Sequence, residues 1–143
     1  MLGESGVLYG TARHGGISAS GMVFALSPPV DPAGAWTEAV LYNFRGGTSD
    51  GSEPGAGVVF GRHGALYGTT DYGGSNNLGT IFSLTPPVFR GRPWTETVLY
   101  TFTGLADGAF PTSTLVVGED GVVYGTTVNG GYAGGGVVFA LAP

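Results

Sequence analysis

The chain contains no cysteine and no lysine, and only 10% of its 143 residues are charged, against roughly 25% in an average soluble domain. Without cysteine there is neither a disulfide framework nor a thiolate metal site, although the compartment stays open. Without lysine the cations are Arg13, Arg45, Arg62, Arg90 and Arg92, set against ten acids for a net charge of -5. No basic stripe exists to displace counterions from nucleic acid, and anionic membrane surfaces are disfavoured for the same reason. No apolar run approaches the roughly 18 residues of a membrane helix, so membrane insertion by a helix is not expected. Met1-Leu2-Gly3-Glu4-Ser5-Gly6 has no basic segment followed by an apolar one and does not read as a signal peptide.

What is abundant is glycine, 29 residues, together with 12% aromatics. The glycines follow no three-residue period, which excludes collagen, and are too many for a helical protein. Few charges with many aromatics is the reverse of a disordered composition. The length fits one domain or a piece of one, and the composition points to an all-β fold punctuated by glycine.

The main feature is an internal repeat. Gly6-Val7-Leu8-Tyr9-Gly10-Thr11 returns as Gly64-Ala65-Leu66-Tyr67-Gly68-Thr69 and as Gly121-Val122-Val123-Tyr124-Gly125-Thr126, at spacings of 58 and 57 residues. Trp36-Thr37-Glu38 returns as Trp94-Thr95-Glu96, and Asp50-Gly51 as Asp107-Gly108. Residues 6–44 align on 64–102 without a gap, with 20 identities in 39 positions.

Each unit reads as four short strands, A to D, bounded by Gly, Pro and Asp. A covers residues 57–60 and 115–117, and B is the Leu-Tyr-Gly-Thr segment. C covers 22–26, 80–84 and 137–141, and D covers 36–44 and 94–102. Within C, Phe and Leu alternate with smaller Val, Ile, Ala or Ser, so both faces are apolar, as in a sheet covered on both sides. The A–B turns are short (Arg62-His63-Gly64, Glu119-Asp120-Gly121), and the Asp-Gly pair predicts two central residues at positive φ. Pro28-Pro29 and Pro86-Pro87 end strand C by removing amide donors. The B–C and D–A connections are long.

Four antiparallel strands in about 57 residues is the pattern of a β-propeller blade, and a single blade must stack to bury both faces. A β-solenoid is the rival, with rungs that are usually shorter. The units are residues 1–44 with strand A mostly missing, 55–102, and 112–143 with strand D missing. That is a partial ring of two to three blades, which does not close alone. Self-association is therefore expected, a dimeric ring of about six blades being one form of it.

The run Gly-x-Leu-Tyr-Gly-Thr-Thr-x-x-Gly-Gly, then Gly-Thr-x-Phe-x-Leu, Trp-Thr-Glu-Thr-Val-Leu-Tyr-x-Phe and Asp-Gly, best seen over residues 64–108, resembles the GloVer (Gloeobacter/Verrucomicrobia) tandem repeat. The resemblance covers essentially the whole chain. It implies a bacterial repeat protein that is extracytoplasmic or at the cell surface, with relatives that often end in a surface-sorting signal. It implies no activity and assigns no catalytic residue. With no anchor after Pro143, the chain reads as a fragment or as a short member.

Catalytic chemistry finds little support. Glu38 and Glu96 are carboxylates of the kind glycosidases pair, but they are repeat-equivalent and belong to different units. Asp50-Gly51-Ser52-Glu53 has the look of a Ca²⁺ loop, yet its counterpart Asp107-Gly108-Ala109-Phe110 loses the second carboxylate, so the Asp reads as a turn residue. There is no nucleophile elbow, no His-Glu-x-x-His and no phosphate loop, and neither His14 nor His63 has the spacing of a triad. No cofactor or metal is called for. The recurring Tyr, Phe and Trp positions read as packing rather than sugar platforms.

In a four-stranded meander the long B–C and D–A loops share one face. Their Gly-Gly frame (15–16, 73–74, 130–131) is constant while the flanking residues differ, a pattern that suits recognition. Candidate ligand-binding residues on that face are Arg13, His14, Asp71, Tyr72, Asn76, Asn77, Asn129 and Tyr132. The favoured expectation is a non-catalytic binding or interaction module for a glycan or protein. The alternatives are a self-assembling structural repeat and a propeller-type enzyme scaffold whose catalytic residues lie elsewhere.

Overall fold

The computed structural model describes residues 1–89 and 91–143; Arg90 lies outside the described residues. The chain is all-β: β1 (Leu8–Ala12), β2 (Met22–Ser27), β3 (Thr37–Asn43), β4 (Gly51–Ser52), β5 (Val59–Phe60), β6 (Leu66–Thr70), β7 (Tyr72–Gly73), β8 (Thr80–Thr85), β9 (Thr95–Thr101), β10 (Val116–Val117), β11 (Val123–Thr126) and β12 (Val138–Leu141). The helical content among the described residues is two single 3₁₀ turns, Glu4–Gly6 and Arg62–Gly64. No helix among them is long and apolar enough to cross a membrane.

Three antiparallel sheets follow one another, ordered β1-β2-β3, β5-β6-β8-β9 and β10-β11-β12, and a two-stranded β4-β7 pair joins loops. None closes into a barrel. Among the described residues, only the middle sheet has four strands. The first begins with a stub, where Leu2 bridges Leu8 and the Met1 carbonyl accepts from the Tyr9 amide.

The registers repeat. Gly10 faces Phe24, Gly68 faces Phe82 and Gly125 faces Phe139. These glycines give each ring its seat: an added Cβ at Gly68 would lie 2.5 Å from Phe82, and one at Gly10 2.7 Å from Phe24. Both C–D pairs carry a bulge at the same place, Val23/Phe24 and Ile81/Phe82. The extra residues, Leu41 and Leu99, pack against the first and second apolar core respectively. The bulge breaks the two-residue alternation, a feature that Val-Leu-Tyr does not announce in sequence.

Two apolar cores separate the three sheets. Val23, Phe44, Val58, Leu66, Phe82 and Leu84 form the first; Ile81, Phe102, Leu115 and Val123 form the second. Edge-to-face contacts cross both, Phe44 on Phe82 at 5.0 Å and Phe102 on Phe139 at 5.4 Å. The middle strand β8 is therefore buried on both faces. Its counterparts are covered on one. In β2, Val23 and Ala25 are buried while Phe24 is half-exposed; in β12, Phe139 and Leu141 are half-buried while Val138 is 79% exposed.

This pattern corrects three expectations. Phe24, Phe82 and Phe139 are equivalent in position but not in burial: Phe82 lies in the first core, Phe139 packs on the second core beside the open edge of β12, and Phe24 faces the uncovered side of the first sheet. Strand A pairs over two residues, not three or four, since Val58 and Leu115 leave the ladder to enter the cores. The Asp-Gly turn also differs. His63 and Gly64 both take positive φ, 55° and 74°, but in the third unit only Gly121 does. Asp120 instead accepts the Val122 amide on Oδ1 at 3.0 Å, an Asx-type turn.

Candidate functional site

The D–A loops are built around a recurring Tyr–Asp contact. Tyr42 donates its hydroxyl to Asp50 Oδ2 at 3.0 Å, and the Arg45 amide donates to the same oxygen at 2.8 Å. Tyr100 donates to Asp107 Oδ2 at 3.0 Å, joined by the Thr103 amide at 2.7 Å. Burial pushes the Asp107 carboxyl up, but hydrogen bonds from Thr103 and Tyr100 outweigh it and hold the group below the usual carboxylate range. Both Tyr42 and Tyr100 are pushed upward, by burial first and then by the adjacent carboxylate. Both aspartates are thus turn residues.

From there each D–A loop runs between two successive B–C loops and binds both. The Glu53 amide donates to the Ser20 carbonyl at 2.8 Å, and its carbonyl accepts from Asp71 at 3.0 Å. The Phe110 amide donates to Leu78 at 2.9 Å, and its carbonyl accepts from Val128 at 3.1 Å. Glu53 and Phe110 are repeat-equivalent, and both sit at φ 56°, a left-handed conformation costing roughly 1–2 kcal/mol outside glycine. Each precedes a buried proline, Pro54 or Pro111. Short ladders add to these staples: β4 with β7, and Ala109 with Asn129. The three B–C loops and two D–A loops therefore form one continuous loop array.

An ion-pair bridge strengthens the first junction. Arg13 bridges Glu53 (Nη2 to Oε2, 3.1 Å) and Asp71 (Nη1 to Oδ2, 2.5 Å). Asp71 is 3% exposed. Burial raises its carboxyl, opposed by the Arg13 charge, and Asp71 holds the guanidinium above its ordinary value in return. Asp71 Oδ1 is buried and accepts no hydrogen bond among the described residues. At the second junction Val128 stands where Asp71 does, and Tyr72 packs edge-to-face on Phe110 at 5.5 Å.

The eight candidate residues separate accordingly. Asp71 is buried in the Arg13 bridge. Asn77 is a turn residue at φ 56° whose Oδ1 accepts the Gly73 amide at 2.9 Å. Tyr72 is half-buried against Phe110, and Asn76 Nδ2 donates to Ser75 Oγ and to the Phe102 carbonyl. His14, Asn129 and Tyr132 are exposed with no side-chain hydrogen bond among the described residues, Tyr132 being fully so. Arg13, also exposed, is already engaged by two carboxylates. The array brings the eight positions onto three adjoining loops. Glu53 and Phe110, which staple it, were missed; the repeated x-Pro after Asp-Gly was the available signal.

Glu38 and Glu96 stand apart from one another. Glu38 is exposed on β3. Glu96, on β9, lies opposite Leu84 of the first core; burial first, then the Asp50 charge, raises its carboxyl to about 7, and its buried Oε1 has no hydrogen-bond partner among the described residues. Among the described residues no three His, Cys, Asp or Glu side chains gather closely enough to share a metal ion.

The family described as the Gloeobacter/Verrucomicrobia repeat matches the chain over residues 1–143. Comparison with curated proteins and with solved structures gives no match.

Proposed function

The chain belongs to the Gloeobacter/Verrucomicrobia repeat family, and on that premise we propose that it is a non-catalytic interaction module of an extracytoplasmic bacterial repeat protein, binding a glycan or protein on its loop face. The sheets are read as propeller blades stacked face to face in a partial ring. The observation that carries the functional reading is the stapling at Glu53 and Phe110. Their backbone bonds hold three loops in one array while His14, Asn129 and Tyr132 remain free to make contacts. A fixed frame with exposed polar and aromatic tips lowers the ordering cost of binding, and an exposed tyrosine supplies area with few rotamers to freeze.

A glycan array probed with the labelled chain tests this reading. Specific hits that fall at least about tenfold in Tyr132→Ala, with unfolding midpoint unchanged, support it. Hits insensitive to Tyr132, His14 and Asn129 substitutions place recognition off the loop face and refute it.

A second reading, a self-assembling structural repeat, is favoured by a different observation. The outer faces of the stack carry exposed apolar side chains, Trp36 and Val40 at one end and Val138 at the other. Burial of such faces against another copy is the expected remedy.

A further inference from the structure

The two 3₁₀ turns, Glu4–Gly6 and Arg62–Gly64, are repeat-equivalent and share one geometry, with Ser5 and His63 both at φ 55°. Their first residues, Glu4 and Arg62, hold the same place at successive sheets but carry opposite charge. Arg62 reaches across the second junction. Its Nη2 donates to the Glu119 carbonyl at 2.9 Å, and its guanidinium lies against Gly121, where an added Cβ would be 3.4 Å from Cζ. Glu4 has no side-chain N–H to send across the first junction, and its carboxylate makes no ion pair among the described residues. Where one junction holds a guanidinium, the other keeps an open groove of about 460 Å³, lined chiefly by Glu4, Tyr9, Phe60, Pro86 and Trp94, at the ends of the sheets away from the loop array.

Three aromatic rings form the walls. Tyr9 and Phe60 meet edge to face at 5.2 Å, and Tyr9 is seated on Gly3, where an added Cβ would lie 2.7 Å from the ring. Trp94 packs on the first core, as do the other two. All three are half-buried, fixed by the core on one side and open to the groove on the other. We propose that this groove is a binding site for the guanidinium of an arginine side chain on a partner polypeptide. Ring faces attract a cation, and a guanidinium is flat and weakly hydrated enough to stack on them. Glu4 carries the only charge among the described lining residues, and a carboxylate matches the guanidinium fork. The second junction of this same chain houses that very group from the equivalent position. A neutral sugar would use the rings and leave Glu4 without a role. The groove is at the opposite end of the sheets from the loop-face ligand, so it stands or falls independently of that reading.

The test titrates the full, isotope-labelled chain with a blocked Gly-Arg-Gly peptide and with its uncharged isostere, Gly-citrulline-Gly, followed by NMR. The Trp94 indole N–H reports on the groove, and that of Trp36, which is outside it, is the internal reference. The proposal predicts saturable shifts at Trp94 and at the Gly61 amide with a dissociation constant of about 1 mM or tighter, and binding at least about tenfold weaker for the citrulline peptide. Glu4 is exposed, so its substitution leaves the fold in place. Glu4→Gln is expected to weaken binding about three- to fivefold, and Glu4→Arg to abolish it by supplying the groove with its own guanidinium, as Arg62 does at the other junction. Should either variant unfold, the citrulline comparison on the native chain decides. Absence of saturable shifts up to about 10 mM peptide, equal binding of the citrulline peptide, unchanged affinity in Glu4→Gln, or shifts confined to the loop face overturns the proposal.

Discussion

Substituting Glu96 by glutamine perturbs one titration and little else. The carboxyl lies beside the first core, its Oε1 buried with no partner among the described residues, and burial raises its folded value to about 7 from an ordinary 4.5. An acid whose folded value is raised adds stability that is fully present below pH ~4.5 and lost as pH rises through about 7. At 1.36 kcal/mol per pH unit the whole shift would amount to about 3 kcal/mol. Part of the side chain is open to water, and solvent screening reduces this to roughly 1–2 kcal/mol. Urea unfolding at pH 5 and pH 8, at one protein concentration, reads the difference. The native chain is expected to lose roughly 1–2 kcal/mol between those values relative to Glu96→Gln, which retains the shape and abolishes the charge. If Glu96→Gln shows the same slope as the native chain, the buried carboxyl of Glu96 is not the titrating group and the reasoning fails.

Two further substitutions probe the repeat. Ala19, Asn77 and Gly134 occupy the same turn position with φ 55°, 56° and 72°; Asn77 bonds Gly73 and Gly134 carries no Cβ, so only Ala19 bears the conformation without compensation. Ala19→Gly should raise stability by about 0.5–1 kcal/mol, and a loss in urea denaturation would show that the turn is not under that strain. Trp94 packs on the first core whereas Trp36, its equivalent, is 50% exposed. Trp94→Ala should therefore cost roughly 2 kcal/mol, below the range for a fully buried tryptophan, and Trp36→Ala less than about 1 kcal/mol. Equal costs would mean that the two ends of the stack are alike.

Periodicity and turn chemistry made the sheets legible. The β-branched and aromatic runs of B, C and D form strands within a residue or two of their expected bounds, because each run meets a partner with the same pattern. What escaped the sequence depends on neighbours. Phe24 and Phe82 share a local context, yet one is half-exposed because nothing covers the outer face of β2. Leu41 and Leu99 follow alternation in sequence but are redirected by a bulge set by packing. On the loop face the shared frame was readable from Gly-Gly and Asp-Gly. The division of labour within it was not: Asp71 is buried by Arg13 and Glu53 from two other loops, and Tyr72 leans on Phe110. Such long-range pairings leave no local mark, whereas Asn77 could have been recognised as a turn residue from the Gly79 and Gly74 that flank it.

The account stands on a face-to-face stack whose middle sheet is covered twice and whose outer sheets are covered once. Light scattering after size-exclusion chromatography at micromolar concentration measures the consequence. The account predicts a species at a multiple of the 14.4 kDa chain mass, with the uncovered faces of β2 and β12 buried between copies. A stable, monodisperse species at 14.4 kDa would contradict it and favour a solenoid whose end faces need no partner.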